Sequence, residues 1–252
     1  MHKTGGFLHI QQILRCDTKR ARRDKECAPQ QDIKRKLKEI GLESGDNVIV
    51  HTSLKSMGYV CGGAQAVIEA LIETVGENGT IMMPTQSWKN LEPETGVHGE
   101  VDEKDWPLIR ENWPAYDKKM TLTNTMGAVA EMFRQWPGSV RSDHPARSIC
   151  AWGKNAAYLT QNHDLSDIFG ESSPLAKLYA LNGKVLLLGT GYNKNTSMHL
   201  ADVRAEYAGK HMCIEHSAIW ENGCGRPTKP CSWMARILSR SGRILKKSTR
   251  SG

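Results

Sequence analysis

The sequence has no stretch of the ~18–20 uninterrupted apolar residues that a membrane span requires. The basic residues near its start are followed by no apolar run of signal-peptide length. Membrane insertion and export are therefore not expected, and a cytoplasmic protein is. No CxxC pair occurs, and the seven cysteines stand apart at 16, 27, 61, 150, 213, 224 and 231. An odd, scattered set reads as reduced thiols rather than a disulfide framework or a zinc site. No second histidine stands at HxxxH spacing from His199, so no metal is expected there. Internal repeats and low-complexity segments are absent too, which excludes solenoids and compositional linkers.

Acid is missing altogether from 226–252, where eight Lys/Arg stand alone, and residues 1–27 hold seven Lys/Arg against three Asp/Glu. The whole chain carries +7, so residues 28–225 are left with a net −5. The basic character belongs to the two ends. The acidic middle favours a cationic ligand over a phosphate backbone, and no nucleic-acid partner is expected. Residues 1–27 read as a poorly ordered basic extension. Residues 28–225 read as the folded domain and 226–252 as a divergent basic segment. At 252 residues, with 39% hydrophobic and 24% charged, the chain can bury one large core.

The pattern changes at Gln31. Ile33, Leu37 and Ile40 recur at helical spacing and Gly41 stops the helix. Asn47–His51 reads as a buried strand, Ala64–Val75 as a helix and Gly79–Pro84 as the next strand. That order is a βαβ unit, which implies a parallel sheet. Further on, Met126–Trp136 and Ser173–Leu181 read as helices, and Ser148–Trp152 and Lys184–Leu188 as strands. Val185–Leu188 is apolar throughout, as expected of a strand covered on both faces. The expected fold is a single α/β/α sandwich with a mostly parallel sheet and a polar insertion at about 88–120.

Four stretches could carry chemistry. The loop His51–Gly63 is neither GxGxxG nor a Walker loop, yet its hydroxyls, its Gly62-Gly63 pair and the helix that follows suit a phosphate cradle. A simple strand-to-helix turn is the other reading. In Arg141–Ser148, His144 precedes a proline that restricts its backbone, and either a functional or a structural imidazole fits. The stretch Gly189–Asp202 begins where the strongest strand ends, which is where open α/β sheets bind ligands. If 196–206 is helical, His199, Asp202 and Glu206 share a face, and an imidazole beside carboxylates suits a general base. The insertion between 92 and 117 holds eight Asp/Glu, Asp117 among them, against Lys104 and Arg110, interleaved with Trp106, Trp113 and Tyr116. Acids and aromatic faces suit a polycationic amine, or else a solvated loop.

Taken in order, VIVHTSLKSMGYVCGGAQAVIEAL, GTIMMPTQSW, the run from PAYDKKM to RSDHPARSICAWG, and FGESSPLAKLYALNGKVLLLGTGYNKNTSMHLADVRAEY resemble the aminoglycoside 3-N-acetyltransferases. The likeness runs from about Asp32 to Tyr207. It implies an α/β fold unrelated to the GNAT acetyltransferases, acetyl-CoA as donor and a polycationic aminoglycoside as acceptor, in a monomer or homodimer. It implies that Thr52, Ser53, Leu54, Ser56, Gly58, Tyr59, Val60 and Gly63 contact the donor's phosphopantetheine and pyrophosphate, with Thr190 polarising the thioester carbonyl. His199 matches the family's essential histidine; Glu131 and His144 match further polar positions. Asp202 and Asp117 are expected to face the acceptor. Two departures stand out. HLAD replaces the usual HLAE, shortening the carboxylate at 202 by one methylene, and the sequence after about Gly225 leaves the family pattern. The second departure motivates an alternative: a coenzyme A-binding homologue without transfer activity.

Overall fold

A computed structural model describes residues 8–10, 27–208, 210–219 and 232–240. In chain order the elements are β1 (Leu8–Ile10), β2 (Cys27–Ala28), α1 (Gln30–Glu39), β3 (Asn47–Thr52), β4 (Tyr59–Val60), α2 (Gly63–Val75) and β5 (Thr80–Pro84). After the insertion, which contains α3 (Trp106–Asn112), come α4 (Ala128–Phe133), β6 (Val140–Arg141), β7 (Ile149–Gly153), α5 (Ala156–Thr160) and α6 (Pro174–Ala180). The chain then forms β8 (Lys184–Leu188), α7 (Met198–Arg204), β9 (His211–Ile219) and β10 (Ser232–Arg240).

The central sheet runs β1-β8-β3-β5-β7-β6, and its period-2 pleat separates two cores. Val48 and Val50, Ile81 and Met83, and Leu186 and Leu188 point to the face covered by α1, α2 and α4, around Leu37, Leu71 and Phe133. Ile49, Met82, Val185 and Leu187 point to the opposite face, where α5, α6 and α7 bring Leu159, Leu175 and Leu200. Burying each of these aliphatic side chains is worth about 1.5–3 kcal/mol, so both helical layers are held mainly by the sheet between them.

The sheet, expected to be mostly parallel, is mixed: three of its five strand pairings are parallel. β1, β8, β3 and β5 pair parallel, whereas β7 is antiparallel to both β5 and β6. The turn between β6 and β7 is too short for a crossover connection, and such a turn can only return the chain antiparallel. The helix expected over Met126–Trp136 is confined to Ala128–Phe133. Gly127 at φ 88 delays its start, and i→i+3 bonds from Gln135 and Trp136 to Met132 and Phe133 tighten its end. α6 begins one residue later than expected because Ser173 caps it, accepting from the Ala176 N–H at 3.3 Å.

Two expectations about the ends and the cysteines also differ. Leu8–Ile10, placed by its sequence in a poorly ordered extension, is an edge strand beside β8; the rest of that extension lies outside the described residues. In the segment from 226 onward, Ser232–Arg240 pairs antiparallel with β9, and the remainder lies outside the described residues. Cys27 and Cys61, expected as free thiols, form a disulfide with Cα atoms 5.9 Å apart. Their meeting follows from the parallel pairing of β2 with β4, which sequence separation hides. Among the described residues no helix is long and apolar enough to cross a membrane.

Candidate active site

Three parallel strands of the sheet end on one side, and the loops leaving them build a cleft of about 1160 Å³. β3 delivers His51, Thr52, Ser53 and Leu54; β5 delivers Pro84 and, beyond it, Gln86 and Trp88; β8 leads to Thr190. Carboxyl ends of parallel strands are where such sheets bind ligands, because the loops there are free of the ladder. Opposite them stand Asn195, Thr196, Met198, His199 and Asp202 on and before α7.

The loop after β3 is shaped by its glycines. Gly62 and Gly63 take φ +83 and +58, left-handed values that a side chain resists, and turn the chain sharply into α2. The thirteen-residue α2 thereby opens its N-terminus onto the cleft beside Gly63. Gly189 is fixed by contact: a Cβ there would lie 2.7 Å from the Ser53 carbonyl oxygen. That close approach, with the Ser53 N–H donating to the Leu188 oxygen at 2.8 Å, locks the turn after β8 onto the loop after β3.

Of the residues that resemblance assigns to the donor, Thr52, Ser53, Leu54, Gly58, Tyr59, Val60, Gly63 and Thr190 all line the cleft. Ser56 supports from behind, its hydroxyl 2.8 Å from that of Ser53. His199 also lines the cleft, with one face open to it and the other stacked on Phe169 at 4.5 Å between centroids and 16° between planes. Loss of water, followed by the positive charge of Arg147, lowers its pKa from 6.5, and the Asp202 carboxylate opposes them. Asp202 faces the cleft and accepts from the Tyr207 hydroxyl at 2.7 Å. The helix that would have added Glu206 to this face ends at Arg204, and Glu206 pairs with Lys210.

Other expected residues stand elsewhere. Glu131 is not among those lining the cleft; its carboxylate accepts from Arg134 Nε at 2.7 Å and the Thr123 N–H at 2.9 Å. His144 is buried behind the cleft, and its Nδ1 accepts from the Ala146 and Arg147 N–H groups at 3.2 and 3.0 Å. Asp117 caps a turn, accepting from the N–H groups of Lys119 and Met120. Four of the insertion's eight acids are taken up by basic partners. Glu92 binds His216, Glu94 binds Arg110, Glu100 binds Lys89 and Asp102 binds Lys104.

Sequence reasoning passed over Gln86 and Met126 and held His51, Lys55 and Lys194 only as members of candidate loops, yet all five line the cleft. Only position could have revealed them: each lies at or just beyond the carboxyl end of a strand, or at the mouth of a helix. His51 is 6% exposed, and burial followed by the neighbouring His199 lowers its pKa to about 4. Among the described residues no group of His, Cys, Asp and Glu is arranged to hold a metal ion.

Comparison with known proteins agrees with this architecture. Residues 49–245 match the family model described as aminoglycoside 3-N-acetyltransferase. The prophage-derived aminoglycoside N(3')-acetyltransferase-like protein YokD of Bacillus subtilis is 43% identical over 197 residues, covering 76% of this chain and 72% of that one. The crystal structure of YokD superposes with a TM-score of 0.79 at 39% identity, covering 85% of this chain and 83% of that one. Aminoglycoside N(3)-acetyltransferase IX of Micromonospora chalcea is 38% identical, over 76% of this chain and 67% of its own length. A structure titled AAC-IIIb binary with CoASH has a TM-score of 0.73 at 28% identity, covering 86% of this chain and 78% of that one. Against its curated relatives the chain spans between 62 and 72% of their length. The chain belongs to the aminoglycoside 3-N-acetyltransferase family.

Proposed function

We propose that this protein transfers the acetyl group of acetyl-CoA to the 3-amino group of an aminoglycoside, by direct attack in a ternary complex with His199 as general base. One observation carries the reading: the loop after β3 and the imidazole of His199 face the same cleft. The cleft suits an anionic donor. Ser53 and Lys55 from one wall and Lys194 from the other supply hydroxyl and ammonium groups beside the open N-terminus of α2. A related structure's title names coenzyme A and another's names sisomicin, which supports the same pair of substrates here.

An ammonium has no lone pair, so it must lose a proton before it can attack. His199, with its pKa lowered, is neutral at pH 7 and accepts that proton. The amine nitrogen then bonds to the thioester carbon and gives up its second proton to solvent, and the C–S bond breaks with its electron pair leaving on sulfur. The resulting imidazolium is held by the Asp202 carboxylate and returns its proton to the thiolate. General-base assistance of this kind is worth ~10²–10⁴-fold. His199→Ala should therefore lose at least a hundredfold in kcat while retaining acetyl-CoA affinity. Activity within a few-fold of wild type would exclude the role.

A second reading has its own support. Asp202 is the one carboxylate among the described lining residues, facing Lys55 and Lys194, and this charge balance is poor for a polycation. A coenzyme A-binding homologue without transfer fits it. Coenzyme A binding with no thiol release against a panel of aminoglycosides and polyamines would favour that reading.

A further inference from the structure

His51 has no place in the scheme above, yet it is a buried titratable group in the lining of the same cleft. β3 is flanked by β8 and β5 at the middle of the sheet, and His51 pairs with Leu187 one residue before the strand ends. The pleat sends its side chain to the same face as Ile49, the face that α7 covers with Leu200. Its imidazole thus lines the same cleft as His199, which stands across from it, and the charge of His199 acts on it. The next residues, Thr52–Leu54, begin the loop assigned to the donor.

Its Nε2 is buried and makes no hydrogen bond within the protein. A buried polar atom left without a partner costs roughly 1–3 kcal/mol, so a protein retains one where a ligand completes it. Resting on the donor reading of this cleft, we propose that His51 is a second catalytic residue, whose Nε2–H donates a hydrogen bond to the thioester carbonyl oxygen and strengthens it as that oxygen gains negative charge. No proton is transferred in this step. As the amine nitrogen bonds to carbon, the C=O electron pair shifts onto oxygen beside the N–H, and it returns as the C–S bond breaks. Burial keeps the ring neutral near pH 7, so a donor N–H is present without a competing positive charge opposite His199. Removing one such donor from an acyl-transfer site typically costs ~10²–10³-fold in kcat.

The test compares wild type with His51→Leu and His51→Gln, the latter placing an amide N–H close to the original Nε2. Calorimetric titrations with acetyl-CoA and with coenzyme A give an affinity ratio that requires no turnover, and steady-state thiol release gives kcat. His51→Leu should keep coenzyme A affinity within about threefold, lose ~2–10-fold in the preference for acetyl-CoA over coenzyme A, and lose at least ~10²-fold in kcat. His51→Gln should recover most of both. An unchanged affinity ratio in a folded His51→Leu protein, or equal loss of coenzyme A binding in both variants, would overturn the proposal. If wild type binds neither molecule, the donor reading itself falls and takes this role with it, a result visible before any variant is made.

Discussion

Arg141 offers a quantitative test of what holds the cleft open. Its guanidinium is buried, with no carboxylate as its hydrogen-bond partner, and is satisfied by five acceptors instead. Nε donates to Ser148 Oγ at 3.0 Å, Nη1 to the oxygens of Lys118 and Thr121 at 3.2 and 2.6 Å, and Nη2 to Thr85 O and Ser87 Oγ at 2.6 and 2.8 Å. These bonds tie residues 118–121 to the strand end that carries Gln86 and Trp88 into the cleft. In Arg141→Met the loss is uneven. Lys118 is exposed and its oxygen finds water, while Thr85 O keeps a bond from Ser148 Oγ at 2.8 Å. The Thr121 carbonyl and two hydroxyl acceptors lose charge-assisted partners worth about 1.5–3 kcal/mol each. Relief of the guanidinium's own desolvation, which lowers its pKa, offsets part of this. A net destabilisation of about 3 kcal/mol remains, which for a domain of this size lowers Tm by roughly 6–12 °C. Equilibrium urea unfolding should show it, and Arg141→Lys should not rescue it, since a point charge cannot span five acceptors. A change below ~1 kcal/mol, within the range of ordinary surface substitutions, would refute the idea that this network organises the site.

Three further outcomes are expected. The acidic limb of kcat/KM should report His199: activity rises with pH as the imidazole loses its proton, with a midpoint below 6.5, and Asp202→Asn should move that midpoint lower still because the carboxylate favours the charged ring. Cys61→Ser should destabilise the oxidised protein by about 3–4 kcal/mol on the chain-entropy estimate for a closed loop of this length, given the separation of 34 residues between Cys27 and Cys61; equal stability before and after reduction of wild type would argue against the bond. Stability should also fall on acidification. His51 and His163 are held neutral by burial, each with its pKa lowered to about 4, so the unfolded chain binds their protons first. Their contribution is fully present above the unfolded value near 6.5 and declines as pH approaches 4, by roughly 5 kcal/mol for the pair between pH 7 and 4.5. Urea midpoints that are flat across this range would contradict it.

Local pattern alone determined several elements. The apolar runs Val185–Leu188 and Val48–Val50 are strands because both faces of each must be covered, and the structure places them side by side. The glycine pair at 62 and 63 marked a turn into a helix, and a positive φ at both confirms why no other residue serves as well. The motif around His199 was legible because a helix start, a histidine and a carboxylate lie within a few residues of one another. What sequence could not decide was anything depending on distant parts of the chain. Periodicity does not state strand direction, so the reversal at β7 went unread. Cys27 and Cys61 meet only because β2 pairs with β4. The acids of the insertion suggested a cation trap, and folding pairs Glu92, Glu94 and Glu100 with His216, Arg110 and Lys89. His51 shows the converse: an inconspicuous strand histidine comes to line the cleft because β3 ends there and α7 sets His199 across from it. Side-chain chemistry is written in sequence, but which charges are spent on the protein and which are left for a ligand is settled only by tertiary contact.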